Sequence, residues 1–320
     1  MVANKKNNKK KKISKKQNKK RALSNLFLLA AVFVVITGAF LFVVLQPGEE
    51  PEPVRVDDVV GNDNGPSIVY EETETHVEPV IIDTKDKKDH PLPDDDRSTK
   101  KDRPRIAIVI DDMGYQKKTC NSLIDLDLKL SFAFLPFGPY TRDQAYKANR
   151  RGRDVLLHFP MEAADPKIDP GPGAVNINMG RREIRKVFAA NMAEVPFVVG
   201  INNHMGSRFT QNREAVKVFM ELIRTGEMFF LDSRTSQSSV GYNMAREMGI
   251  RTAKRNVFLD NVRDRQKIKI QLRKLLDIAD RHGSAIAIGH PYPETLQALR
   301  DLRREISRRA IVVGVKELVR

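Results

Sequence analysis

From residue 105 to residue 320 the chain alternates short apolar runs with stretches of helical periodicity, and no other feature limits its fold as much. The first run, IAIVI at 106–110, holds five apolar residues between polar ones. That is the pattern of a strand buried on both faces. Seven further runs follow, within LKLSFAFLPF, DVLLHFPME, FVVGINNHMGS, MFFLDSRTS, RTAKRNVFLD, SAIAIGHP and AIVVGV. Between them lie amphipathic stretches such as REIRKVFAANMAEV, REAVKVFMELIRTG and RDRQKIKIQLRKLLDIADRHG. Strand candidates that alternate with helices and stay apolar throughout predict a parallel sheet covered by helices. A β/α barrel and an open doubly wound sheet both satisfy the pattern. No GxGxxG follows the first run, so a dinucleotide-binding fold has no support.

Composition matters chiefly ahead of this region. Residues 1–21 carry eleven Lys or Arg and no acid. Residues 26–45 then run for twenty positions without a charge. That is about the length a helix needs to cross a hydrocarbon core of roughly 30 Å. LQPGEE follows in place of a small-residue cleavage site, so the stretch reads as an uncleaved transmembrane helix over 26–46. The basic tail, 1–25, is expected to stay cytoplasmic, with everything beyond the helix periplasmic or extracytoplasmic and the chain a single-pass inner-membrane protein. Because the Lys run abuts the apolar stretch, no nucleic acid is expected as a partner. Residues 47–104 contain seventeen acids against eight bases, with scattered prolines and no apolar period, and read as a disordered acidic linker. The remainder, 105–320, has a net charge of +13, which favours anionic partners such as cell-wall polymers. Cys120 is the only cysteine, so an intrachain disulfide and a cysteine-based zinc site are both excluded, and a buried apolar role is expected.

The polar residues of the folded region gather where the apolar runs end, which in parallel α/β folds is where function sits. The first run ends in Asp111 and Asp112, the third in His158 with Glu162 four residues on, and the fourth in Asn202, Asn203 and His204. The fifth ends in Asp232, Ser233 and Arg234, and the seventh in His290. Each has a plainer reading: a helix cap for the Asp pair, a hydrogen-bonded core histidine for His158, a turn at His204, a local ion pair at Asp232, a strand end at His290. Five strands placing such residues on one rim by coincidence is the weaker explanation. Two adjacent carboxylates repel unless something positive lies beside them. A divalent cation held by His and carboxylate supplies it, Zn²⁺ first, with Fe, Co or Mn as alternatives. One Asp would then coordinate while the other stays free to take a proton from an attacking water, and a histidine opposite would protonate the leaving group.

IVIDDMG, LLHFPME, INNHMGSRFT, FLDSRTS and AIGHPYPET, in that order, resemble the divergent polysaccharide deacetylase family, a distant branch of the NodB-like carbohydrate esterases. The resemblance spans roughly 105–320 and implies a distorted (β/α)7-type barrel with a metal-dependent site. It implies Asp111 as general base, Asp112 as metal ligand, His158 as a second ligand and His290 as the acid for the departing amine, with Asp232 aligned to a further catalytic acid. Better-known members carry a second histidine where this chain has Glu162. The third ligand is therefore read as His204, with Glu162 as the alternative. Asn203, Arg208 and Arg234 are candidates for orienting the base or the substrate. The implied reaction is metal-dependent removal of N- or O-acetyl groups from an acetylated cell-envelope glycan, peptidoglycan or an exported polysaccharide. The alternative is a non-catalytic envelope protein that keeps the fold to bind glycan or a partner.

Overall fold

A computed structural model of the protein describes residues 103–320. The basic tail, the expected transmembrane helix and the acidic linker lie outside the described residues; among those described, no helix is long and apolar enough to cross a membrane. The elements in chain order are β1 (Arg105–Met113), α1 (Lys118–Ile124), β2 (Ser131–Phe134), α2 (Thr141–Arg150), β3 (Val155–Met161), α3 (Arg181–Glu194), β4 (Val198–Met205) and α4 (Arg213–Thr225). They continue with β5 (Phe229–Asp232), α5 (Gly241–Glu247), β6 (Thr252–Lys254), β7 (Val257–Phe258), α6 (Arg265–His282), β8 (Ser284–Gly289), α7 (Pro293–Arg309) and β9 (Ile311–Val312). The strands form one sheet in the order β6-β5-β4-β3-β2-β1-β8-β7, with β9 beside the start of β1. The strand pairs are parallel, as continuous apolar runs separated by helices require.

The segment RTAKRNVFLD, expected as one strand, instead forms two that pair with opposite ends of the sheet: β6 with β5, and β7 with β8. Only Arg255 and Asn256 separate them. The Arg255 amide donates to the Asp232 carbonyl, while Asn256 donates its amide to the Ile286 carbonyl and accepts the Ile286 amide on its side chain. Two sheet edges tied to neighbouring residues must approach each other, so the sheet is curled rather than open. It is an incompletely closed barrel, with its seam at this segment.

Alternation along the strands divides the apolar residues into two cores. Ala107, Val109, Ala133, Leu156, Leu231, Ile286 and Ile288 fill the barrel interior, where Val315 and Val319 join them from the chain after β9. Their neighbours in sequence, among them Ile106, Ile108, Phe132, Leu157 and Ile201, face the helices. Helix starts follow local chemistry. Asn212 accepts the Ala215 amide ahead of α4, and Asp264 accepts the Gln266 and Lys267 amides ahead of α6. His282 occupies the last turn of α6. Cys120 is fully buried, and burial pushes its thiol up to about 12, leaving it a small apolar residue.

Candidate active site

The C-terminal ends of β1, β3, β4 and β8 bring the polar residues together above the interior core. Strand parity explains most of this. Ala107 and Val109 point inward, so Asp111 does too; Leu156 places His158, Ile286 and Ile288 place His290, and Asn202 and His204 follow on β4. Asp112 should point outward on the same parity. Its backbone instead turns left-handed, with φ 53, where the pairing of β1 with β2 slips between Ile110 and Met113. Asp tolerates that conformation better than most residues. Both carboxylates therefore reach the site. Gly114, two residues on, allows the turn. Its φ is 109, and a Cβ there would lie 2.2 Å from the Thr141 hydroxyl oxygen.

Asp112, His158 and His204 converge. The Asp112 Oδ1 lies 3.2 Å from His158 Nε2 and 3.0 Å from His204 Nδ1, and the two ring nitrogens are 3.1 Å apart. Both Asp112 oxygens are buried without a hydrogen-bond partner. An orphaned carboxylate in the interior is costly unless a cation neutralises it. A tetrahedral cation with bonds of about 2.0–2.1 Å separates its ligand atoms by about 3.3 Å, close to the spacing found. The donor set, one carboxylate and two imidazoles with room for a further ligand, suits a divalent metal of the zinc type.

Asn202, noted in the sequence at the end of the fourth run but given no role there, organises the arrangement. Its amide nitrogen donates to both Asp111 oxygens, at 2.9 Å each, and its carbonyl oxygen lies 3.0 Å from His158 Nδ1. A carboxylate can only accept, so the Asn202 NH₂ must face Asp111. Its oxygen then takes the His158 Nδ1 proton, which with a cation bound would leave the Nε2 lone pair free to ligate it beside Asp112. The two aspartates are thus driven apart electrostatically. Burial raises the Asp111 carboxyl above its usual range, although His158, His290 and Asn202 oppose it. Burial would raise Asp112 as well, but His204 and His158 hold it well below that range. One carboxylate is suited to accepting a proton and the other to staying ionised.

His290 stands across the site, its Nε2 3.8 Å from Asp112 Oδ2. Its Nδ1 lies 2.9 Å from Asp260, which also accepts the His290 amide and the Thr295 hydroxyl. Burial alone would lower the imidazole's pKa; the Asp260 carboxylate outweighs it and raises the value to about 9. Asp260 lies two residues beyond β7, near a strand end like the other polar residues. That signal was available in the sequence.

The remaining candidates sit elsewhere. Glu162 accepts the Ile177 amide at 2.8 Å and pairs with Arg208 at 3.2 Å, so both anchor the loop after β3 rather than join the histidines. Asp232 accepts from the Ser239 hydroxyl and from the Tyr242 and Arg234 amides, fixing the entry to α5; Phe229 and Leu231 are the β5 residues that face inward. Asn203 spans β4 and β5, donating to Met205 and Thr235 and accepting from Ser233. Arg234 follows Ser233 at the rim, half-buried. A cavity of about 50 Å³ opens between Asp111, His158, His204, His290, Ile288 and a residue that no motif had pointed to, Arg255 at the barrel seam.

Comparison with known proteins agrees with this architecture. An uncharacterised protein of Agrobacterium tumefaciens C58 has a solved structure that superposes with a TM-score of 0.65 at 27% identity, covering 68% of this chain and 89% of that one. The uncharacterised protein YibQ of Escherichia coli K12 is 36% identical over 198 residues, which span 62% of this chain and 62% of its own length. An uncharacterised Haemophilus influenzae protein is 35% identical over 217 residues, or 68% of this chain and 77% of that one. The sequence profile of the divergent polysaccharide deacetylases matches residues 108–319, nearly all of the curled sheet with its helices and every residue of the site, and the chain belongs to that family.

Proposed function

We propose that the protein is a metal-dependent deacetylase of an acetylated cell-envelope polysaccharide, held at the inner membrane by residues 26–46 with its catalytic domain outside the cytoplasm. The observation that carries the reading is the buried Asp112 carboxylate, without a hydrogen bond and faced by two imidazole nitrogens. A cation bound there supplies Lewis-acid charge that polarises the acyl carbonyl and makes a neighbouring water easier to deprotonate. The chain's own groups do the rest. Asp111, held by Asn202 at both oxygens, takes a proton from the attacking water as its oxygen bonds to the acyl carbon. The C–N bond then breaks, and His290 gives its Nε2 proton to the departing amine while Asp260 holds Nδ1. The products are acetate and a free amine. His204 supports a catalytic role, because its Nδ1 lies 3.0 Å from Asp112 Oδ1 and 3.1 Å from His158 Nε2 and could complete the ligand set in a chain with Glu162 at the usual second-histidine position.

The test is metal content of the purified chain together with acetate release from acetylated glycans. Asp111→Asn should lower release by about 10²- to 10⁴-fold, the usual contribution of a general base, while metal binding persists because Asp112 is untouched. Unchanged release would remove the proposed base. Glycan binding without turnover, indifferent to chelator, would assign the chain to the non-catalytic alternative.

A further inference from the structure

Arg255 gives the cavity a charged wall that the acyl transfer does not use. Its guanidinium Nε donates to the Ser233 carbonyl at 2.7 Å and one Nη to the Arg234 carbonyl at 3.0 Å. Those bonds occupy one side of the fork. The other three N–H groups, two of them on the end-on edge, have no protein acceptor, and Arg255 lines the same cavity as Asp111, His158 and His290. No carboxylate of the described residues forms an ion pair with it: Asp111 is taken up by Asn202, and Asp232 by the start of α5. The Phe258 ring lies 4.7 Å from its central carbon and makes this wall partly apolar. Burial, with Arg234 beside it, pushes Arg255 down to about 10 despite the opposing charges of Asp111 and Asp232. An arginine fixed by backbone carbonyls, crowded by a second arginine and without an acid partner is a preorganised anion site. The planar end of a guanidinium fits the two oxygens of a carboxylate.

We propose that Arg255, with Arg234 adding charge, binds a carboxylate beside the reacting acetamide, so that the protein selects acidic N-acetylated sugars over neutral ones. This rests on the reading of the cavity as a deacetylation site and narrows its substrate class. Released acetate carries the same chemistry, and the experiment separates the two sources. The full chain, kept metal-free with chelator, is titrated calorimetrically with N-acetylglucosamine, with N-acetylmuramic acid, which adds a lactyl carboxylate to the same sugar, and with acetate. A charge-assisted bidentate contact predicts roughly 10- to 100-fold tighter binding of the acidic sugar. Arg255→Gln should abolish the preference, Arg255→Lys should restore part of it, and Arg234→Gln should weaken it several-fold. Acetate binding lost in Arg255→Gln, with no preference between the sugars, supports the site and assigns it to the released product. Equal binding of the two sugars with no acetate binding overturns the proposal, as does a preference that survives Arg255→Gln. Arg255 also ties the seam. If Arg255→Gln loses the circular dichroism of the wild type, Arg234→Gln, which breaks no seam bond, decides, and an unweakened preference there overturns the proposal. The titration needs neither metal nor turnover. A chain that selects the acid but releases no acetate would therefore sink the deacetylation reading and leave the carboxylate site standing.

Discussion

Asp111 and Asp112 are adjacent and chemically alike, yet their surroundings assign them different work. The base must be ionised and the acid His290 protonated. Acetate release should therefore fall as pH drops through the raised pKa of Asp111, and fall again as pH rises through about 9. Removing Asp260 removes what lifts His290 against its own burial. In Asp260→Asn the alkaline limb should move to lower pH, read from kcat/KM against pH; an unmoved limb would show that another group sets it. Asn202 is the other residue whose contribution is positional. Asn202→Leu frees His158 to take either tautomer and should weaken metal binding by about 10- to 100-fold, measured by competition with a chromogenic chelator. Both residues were present in the sequence motifs. Their roles were not, because a hydrogen bond between residues 30 or 44 positions apart leaves no local trace.

At the scale of elements, the continuous apolar strands and the helical periods were legible because burial on one side or both writes itself into local spacing. The split of β6 from β7 was not. Each half is too short to show a period, and only the two partner strands determine that the chain changes edge between Arg255 and Asn256. Arg255 went unrecognised for the same reason. Close approach of strands is similarly invisible until they pair. Gly200 on β4 sits opposite Phe229 on β5, and a Cβ at Gly200 would come within 2.4 Å of that ring. Phe229 belongs to the interior core and is fully buried, so the ring has little freedom to yield. Gly200→Ala should accordingly destabilise the domain by about 1–3 kcal/mol, the usual cost of overpacking, seen as a lower denaturant midpoint at unchanged slope.

Across the whole molecule, the site is the upper end of the barrel's interior core, which ties metal binding to folding. Asp112 is buried and lacks a hydrogen bond, so the folded state carries an electrostatic cost that a bound cation relieves. Zinc at about a hundred times its Kd should stabilise the chain by about 2.7 kcal/mol, and chelator should reverse the shift in Tm. Asp112→Asn should lose most of that response. A Tm indifferent to zinc in the wild type would mean that the three side chains are not a metal site. The net charge of +13 over residues 105–320 acts on a different range, drawing anionic polymers towards the domain without fixing which group enters the cavity.

The sequence alone determined the class of fold and which polar residues stand at the strand ends. Strand periodicity depends only on which side of a residue is buried, and the ends of parallel strands are where polar side chains can meet. Tertiary structure decided the rest. It turned Asp112 inward through a left-handed residue and brought His204, not Glu162, to Asp112 and His158. It also sent Asp232 to the entry of α5 and set Arg255 at the seam. Each of those outcomes depends on a partner far away in the chain, and distance in space is what a linear pattern does not carry.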